Sequence, residues 1–258
     1  MSPSSLLGVF AHPDDESLLA GGVLARHAEA GARTAVVTTT WAPGSPRAAE
    51  LAGATAALGA GPPRMLGYAD HRAPRSAPGR PRLCDAPLDE VVERLVRLLR
   101  EFRPEVVVTH DAYGQLTGHP DHRHTHRVTV LAATAAGLEH LYPDAGAPWR
   151  PGAVYAATHP HTALDGLGPL LAGVGKSLLS VPDEEVTATV DVRPWLDRKW
   201  PAILAHRSET ARERSLPGIL SRIPAETRDR IIGTEYFTLV HSRPTPASGP
   251  SLPSGWPG

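Results

Sequence analysis

The chain has 258 residues, 41% hydrophobic and 21% charged, a composition of a folded globular protein rather than a disordered one. Its 26 Lys+Arg nearly balance 27 Asp+Glu, which leaves no basic footprint for nucleic acid, and no apolar run approaches the roughly 20 residues that span a bilayer. One cysteine, Cys84, excludes an intrachain disulfide and a Cys-rich metal site, so with 13 histidines any metal is expected on imidazole and carboxylate.

The start, MSPSSLLGVFA, has no basic n-region and only a short apolar stretch, a poor signal peptide, so a cytoplasmic location is the default expectation. Leu6 to Phe10 reads as a buried strand. Glu16 to Ala30 carries Leu18, Leu19, Val23 and Leu24 at helical spacing, with Gly31 as a stop. Thr34 to Thr40 is a second strand, Arg47 to Leu58 a helix closed by Gly59, and Arg64 to Gly67 a short third strand. Residues 69–87, rich in Pro, Arg and Ser, read as an exposed loop. Asp89 to Glu101 is an amphipathic helix, Glu105 to Thr109 a fourth strand, and a helix follows a polar loop from about Asp121 to Leu138.

Strands alternating with helices of this length imply βαβ units. The fold expected is α/β, a Rossmann-like three-layer α/β/α arrangement with a mostly parallel sheet, its core over about 5–140. The part from about 150 to 243 is less regular. Strands are expected over Val154–Thr158, Val186–Val190 and Tyr236–His241, and a helix over Trp195–His206 that Pro201 can kink. We read 1–243 as a single domain and 244–258, PTPASGPSLPSGWPG, as a disordered tail.

Two loops stand out. Ala11-His12-Pro13-Asp14-Asp15-Glu16 follows the first strand and packs an imidazole and three carboxylates into five residues. Three adjacent negative charges repel one another and raise their pKa values, a conflict that a divalent cation removes. A helix N-terminus alone accounts for Asp and Glu in a first turn, but it has no need of the imidazole. Gly-x-Gly-x-x-Gly is absent from this loop, which argues against a dinucleotide enzyme; Gly21 and Gly22 fall inside the helix. Gly118-His119-Pro120-Asp121-His122-Arg123-His124-Thr125-His126 follows the fourth strand. Parallel strands put their carboxyl ends on one sheet edge, so the two loops are expected to converge. His119 and His122 flank the helix start, His122 and His126 lie one turn apart, and His124 is expected to face solvent.

Together the two segments resemble the signatures of the LmbE-like, or PIG-L, family of zinc-dependent N-acetylglucosaminyl deacetylases. Weaker likenesses are Arg47-Ala-Ala-Glu50-Leu51, Leu66-Gly67-Tyr68-Ala69-Asp70, and Lys199 with Ala205-His206-Arg207-Ser208. The resemblance covers roughly residues 5 to 140 well and the rest loosely. It implies an LmbE-like fold, His12, Asp15 and His122 as zinc ligands, Asp14 as general base, and His119 as general acid or oxyanion stabiliser. Two His and one carboxylate leave an open position, as catalytic zinc sites do, and the same donor set suits iron(II). Asp121 is expected to orient His119. Glu16 is expected to be structural, bonding a backbone amide or a ligand's second nitrogen. Asp70 and Arg72 are candidates for supporting or substrate contacts, and the stretch Arg72 to Arg82 with loop 159–180 for the rim that reads the sugar's carrier. Family members of the mycothiol pathway carry a Tyr just before the second signature; here Leu116-Thr117 stand there, and the nearest Tyr is Tyr113.

The resemblance thus implies hydrolysis of an N-acetyl or other N-acyl group on a small amino-sugar conjugate; the charge balance and the lack of a long apolar run lead us to expect neither nucleic acid nor membrane as partner. The sequence carries no reading of oligomeric state. Cleavage of a larger amide conjugate is the alternative within the class. A metal-binding module without catalysis, and a nucleotide-binding Rossmann protein, are the alternatives outside it.

Overall fold

The computed structural model describes residues 3–176 and 178–243, so the expected tail lies outside the described residues. In chain order the first part runs β1 (Leu6–Phe10), α1 (Asp15–Glu29), β2 (Thr34–Thr40), α2 (Pro46–Ala57), β3 (Arg64–Tyr68), α3 (Leu88–Phe102), β4 (Val106–His110) and α4 (Pro120–Ala135). The second part runs β5 (Ala153–Thr158), α5 (Leu164–Ala172), β6 (Ala188–Asp191), α6 (Leu196–Ala205), α7 (Arg207–Thr210), α8 (Leu216–Leu220), α9 (Ala225–Ile232) and β7 (Thr234–Ser242).

The strands form one seven-stranded sheet in the order β3-β2-β1-β4-β5-β7-β6. β1 to β5 pair in parallel, and β7 runs antiparallel to both β5 and β6. β1 and β2 are buried along their whole lengths, as central parallel strands covered on both faces must be. Successive side chains of β1 alternate between two cores. Leu7 and Val9 pack with Val91, Leu95 and Leu99 of α3 and Val128 of α4. Leu6 and Phe10 pack with Leu24 of α1, Leu51 of α2 and Ala202 of α6. These are the two helical layers of the expected three-layer architecture.

Local signals set the element ends. The Ser45 side chain accepts the Ala48 amide at the start of α2, with Pro46 at the first helical position. At Gly22 the close approach of the turn before α6 leaves no room for a side chain: an added Cβ would lie 2.2 Å from Val192. This glycine in α1 therefore serves helix packing and not phosphate binding.

Several expectations need correction. Residues 69–87 are not a wholly exposed loop: two 3-10 turns form at Pro74–Ser76 and Leu83–Asp85, and Ser76, Ala77 and Leu83 are buried. α4 stops at Ala135, three residues short, where Gly137 packs against Arg150. The sixth strand shifts to Ala188–Asp191. α5, α7, α8 and α9 were not foreseen; α7 and α8 span four and five residues, too short to show a period. No helix among the described residues is long and apolar enough to cross a membrane.

Candidate metal centre

β1 and β4 are parallel neighbours, with Leu6 opposite Val106 and Val9 opposite Thr109, so their carboxyl ends coincide. The strand order reverses between them, and such a switch point opens a crevice at the strand ends. The loop after β1 brings His12, Asp14 and Asp15 to that crevice, and the loop after β4 brings His119, Asp121 and His122. The expected convergence of two distant loops is therefore present.

Three residues turn donor atoms toward one another there, Asp15 with one oxygen to each histidine. His12 Nδ1 lies 3.2 Å from His122 Nε2 and 3.3 Å from Asp15 Oδ2, and His122 Nε2 lies 3.4 Å from Asp15 Oδ1. Ligands bound tetrahedrally at about 2.0–2.2 Å sit about 3.3–3.6 Å apart, so these separations fit one shared ion. The charges fit as well. Burial disfavours protonated His12, yet Asp121, Asp15 and Asp70 outweigh it and raise its pKa to about 10. The cluster thus demands positive charge at His12. Burial lowers His122 to about 4 against the pull of Asp15, which leaves a neutral imidazole with a free lone pair. Burial opposes ionisation of Asp15, but His122 and His110 overcome it and hold the carboxylate well below its ordinary range.

Asp121 does not take the partner expected of it. Its Oδ2 lies 3.1 Å from His12 Nε2 and 3.8 Å from His119 Nδ1, so it orients His12 and not His119. The same oxygen accepts the His71 amide at 2.9 Å, and Oδ1 accepts the Cys84 thiol at 3.3 Å. Carboxylate, imidazole and donor site form a line that fixes the His12 tautomer with Nδ1 turned to the centre. Asp70 Oδ2 adds a second carboxylate 3.3 Å from His12 Nε2, while its Oδ1 accepts the amides of Arg72 and Ala73. His119 caps α4: its Nδ1 accepts the Asp121 amide at 3.2 Å, which puts the proton of the neutral ring on Nε2. Burial beside His12 and His122 pushes its pKa down to about 2.

Asp14 is held at φ +127°, a conformation costly for a residue with a side chain. Its amide donates to Glu16 Oε2 at 3.0 Å. Arg47 donates to Pro13 O and, at 3.0 Å, to Asp14 Oδ1. Burial raises the Asp14 carboxyl to about 7, Arg47 opposing and Asp15 assisting. Glu16 bonds a backbone amide as expected, but its imidazole partner is His206, at 2.7 Å and fully buried, rather than a histidine of the cluster. Burial pushes Glu16 up, and the His206 charge outweighs it and holds Glu16 below its ordinary value; His206 is raised in return against burial.

His110, overlooked in the sequence, stacks on His122 with ring centroids 4.0 Å apart and lies 3.4 Å from Asp15 Oδ2. Its Nε2 accepts the Ala11 amide at 2.8 Å and its Nδ1 meets Gln115 Oε1 at 2.7 Å, so neither ring nitrogen is free for a metal. A polar residue ending the run Val106-Val107-Val108-Thr109 was its only signal. Gly114, φ +83°, shapes this loop: an added Cβ would lie 2.9 Å from the His119 amide nitrogen. His126 bonds the His110 carbonyl at 2.8 Å and does not reach the centre, and His124 is half-buried rather than solvent-facing.

The cluster forms the floor of a cavity of about 510 Å³. Arg72 and Lys176 reach its wall, so both segments expected at the rim contribute. Arg212 and Arg214, between α7 and α8, and Leu216 at the start of α8 complete it and carried no signal in the sequence. A second cavity of about 340 Å³ adjoins it and shares Leu18, Leu19, His159 and Leu216.

Comparison with known proteins gives a consistent result. The family described as PIG-L, GlcNAc-PI de-N-acetylase, matches residues 7–133. A protein of Rhodococcus jostii (strain RHA1) named 1D-myo-inositol 2-acetamido-2-deoxy-alpha-D-glucopyranoside deacetylase is 36% identical, over 93% of this chain and 92% of that one. Its similarity spans nearly the whole chain despite the Leu116-Thr117 departure. Among solved structures, the conserved protein TT1542 of Thermus thermophilus has a TM-score of 0.64 at 24% identity, covering 96% of this chain and 100% of that one. The N,N'-diacetylchitobiose deacetylase of Pyrococcus horikoshii has a TM-score of 0.64 at 17% identity, covering 92% and 83%. At these identities the structures show the fold alone.

Proposed function

This chain belongs to the PIG-L family, and from that premise we propose that it is a zinc-dependent hydrolase that removes the acetyl group from the amine of an N-acetylglucosaminyl conjugate. The observation that carries the reading is the meeting of His12 Nδ1, His122 Nε2 and the two oxygens of Asp15 in the lining of the cavity, His12 Nδ1 3.2 Å from His122 Nε2 and each imidazole nitrogen 3.3–3.4 Å from one Asp15 oxygen. Zinc is the metal proposed for two imidazoles and a carboxylate; iron(II) is what metal loading would otherwise reveal. Held there, the ion supplies Lewis acidity, which acidifies water from a pKa of about 15.7 to about 7.

The chain's own groups do the rest. Asp14, partly open to the cavity, takes the proton of the attacking water, and its raised pKa suits both accepting that proton and passing it to the leaving amine. Arg47 and the Glu16–His206 pair hold Asp14 in its strained conformation. His119, neutral and with Nε2–H free, donates to the oxyanion that develops on the amide oxygen. Its hydrogen bonding favours this role over that of an imidazolium acid. Water's oxygen joins the acetyl carbon, the C–N bond breaks, and acetate and a free amine leave. The reading includes a cytoplasmic setting, which the free thiol of Cys84 suits.

The test is release of acetate and free amine from 1D-myo-inositol 2-acetamido-2-deoxy-alpha-D-glucopyranoside and a panel of N-acetylated amino sugars by zinc-loaded protein. One equivalent of each product is expected. Asp14→Asn should keep the metal and lose about 10²–10⁴-fold in rate. Metal-loaded protein that releases no acetate from any of them would return the chain to the non-catalytic reading. Release only from bulky amides would move it to the larger-conjugate reading.

A further inference from the structure

Trp41 stands one residue past β2, at the carboxyl edge of the sheet where the metal centre lies. Its φ is +71°, a left-handed backbone that suits glycine and is costly for a bulky side chain. Main-chain bonds on both sides impose that turn: the Trp41 amide donates to Tyr68 O at 2.9 Å and the Ala42 amide to Ser76 O at 3.0 Å. The side chain gives the fold little in return. Among the described residues it belongs to none of the apolar clusters, and its buried Nε1 meets no acceptor. The indole instead lines the reaction cavity with His12, Asp14 and His119, and it is the only phenyl, phenol or indole ring among the described lining residues. One of its faces carries the Arg47 guanidinium, 4.7 Å from the ring centroid. Arg47 is itself held by Pro13 O, Asp14 Oδ1 and Glu209 Oε1, so the ring is placed relative to Asp14 through that face and not through its edge.

We propose that Trp41 is a specificity-determining residue: the indole face turned away from Arg47 receives the C–H face of the amino sugar's pyranose ring and so sets the N-acetyl group over the metal centre. The inference rests on the deacetylase reading and deepens it, because the enzyme then selects a closed ring and not merely an N-acetylated amine. The chemistry of the two surfaces matches. An indole face is electron-rich, and the C–H groups of a pyranose, polarised by the ring and hydroxyl oxygens, are its complement. A tryptophan also offers a large rigid surface with only two side-chain torsions to fix when a ligand binds. Hydrogen-bonding groups around the cavity meet the same hydroxyls on a closed ring and on an open chain, whereas a flat surface reads the ring itself. The strained backbone fits this role, since it carries a side chain that serves the cavity and not the core.

The test compares methyl N-acetylglucosaminide with N-acetylglucosaminitol, which has the same amide and hydroxyls along its chain but no ring, on zinc-loaded protein. Trp41→Phe keeps a flat face and Trp41→Leu removes it. In Trp41→Leu the kcat/KM ratio of cyclic to open-chain substrate should fall about tenfold, through KM, and in Trp41→Phe by no more than about threefold. A second readout is independent of turnover. Tryptophan emission of the wild type should change as the amine product, methyl glucosaminide, is titrated in, and the change should vanish in Trp41→Phe although the other tryptophans remain. Variants that slow both substrates alike, with kcat falling and KM steady, would make Trp41 a support for Arg47 and Asp14; they overturn the proposal and leave the deacetylase reading standing. An emission change that persists in Trp41→Phe overturns it as well. If neither substrate is hydrolysed, calorimetric binding still decides: the proposal needs Trp41→Leu to bind methyl N-acetylglucosaminide at least about tenfold more weakly than the wild type, and an equal affinity in the two proteins ends it.

Discussion

The loops after β1 and β4 and the segment from α6 to β7 meet in the same part of the molecule but contribute different things. The loops place donor atoms and reacting groups within a few residues of one another. The later segment reaches back with one buried ion pair, His206 to Glu16 at 2.7 Å, and holds a second within itself, Lys199 to Glu235 at 2.8 Å. Glu235 also accepts the amides of Gly22 and Val23 in α1, and Lys199 donates to Ile232 O. The difference teaches that chemistry is written locally here, because parallel strand ends bring short loops to one crevice. Orientation and stability are written at long range, in isolated polar residues inside apolar elements.

The largest effects that test this division lie in the loops. His122→Ala removes one of three donors, and the expected result is loss of stoichiometric metal and at least about 10³-fold of activity, with a small change in Tm of the metal-free protein. Metal content by mass spectrometry and acetate release check it. Retained metal with retained activity would break the assignment of the centre.

The converse change is Lys199→Met. It leaves Glu235 buried without its cation, which costs about 3–5 kcal/mol. For a chain of this size that is a fall in Tm of about 6–20 °C. Replacing both partners, Lys199→Met with Glu235→Gln, should recover part of it. Residual activity per folded molecule should stay near that of the wild type at low temperature. A variant that folds normally but loses its metal would show that the two regions are not separate in function.

The same division explains what was legible in the sequence. The parallel half was readable because each strand is a buried apolar run and each helix is long enough to show its period, as in α3. Both loops were readable because imidazoles and carboxylates cluster there beyond what capping requires. His110 was not, because one histidine at a strand end is indistinguishable from a buried core histidine until its neighbours are known. Arg47 was legible only as part of a weaker family likeness at the start of α2, with nothing to show that it grips Pro13 and Asp14 across the crevice. Arg212 and Arg214 sit among other charged residues in Arg207 to Arg214, and only the fold of α7 and α8 turns them toward the cavity.

A smaller effect sharpens the boundary between ligand and support. Asp121→Asn keeps the shape but removes the charge facing His12 Nε2, and the amide can present either a donor or an acceptor there. Metal affinity measured by chelator competition should fall about 10–100-fold. Its effect on the oxyanion role of His119 should be small, since His119 is held by the Asp121 backbone amide, which the substitution leaves in place. A variant with unchanged affinity but a collapsed kcat would reverse that assignment and couple Asp121 to His119 after all.

The smallest expected effect lies at the junction of the two regions. His159 stands at the end of β5 between the two cavities, and burial lowers its pKa to about 4, Lys199 assisting and Asp111 opposing. The folded protein therefore binds fewer protons at this ring than the unfolded chain does between about pH 4 and 6.5, where stability must rise with pH. Below about pH 4 both states are protonated and the slope ends. His159→Gln cannot titrate, so the Tm gap between the wild type and this variant should shift against the wild type as pH falls from 7 to 4.5. Because the ring is partly open to the cavities, the shift should amount to only a few degrees. A gap that stays constant across that range would mean that His159 titrates as it does in water, and that the wall between the cavities is wetter than its lining residues imply.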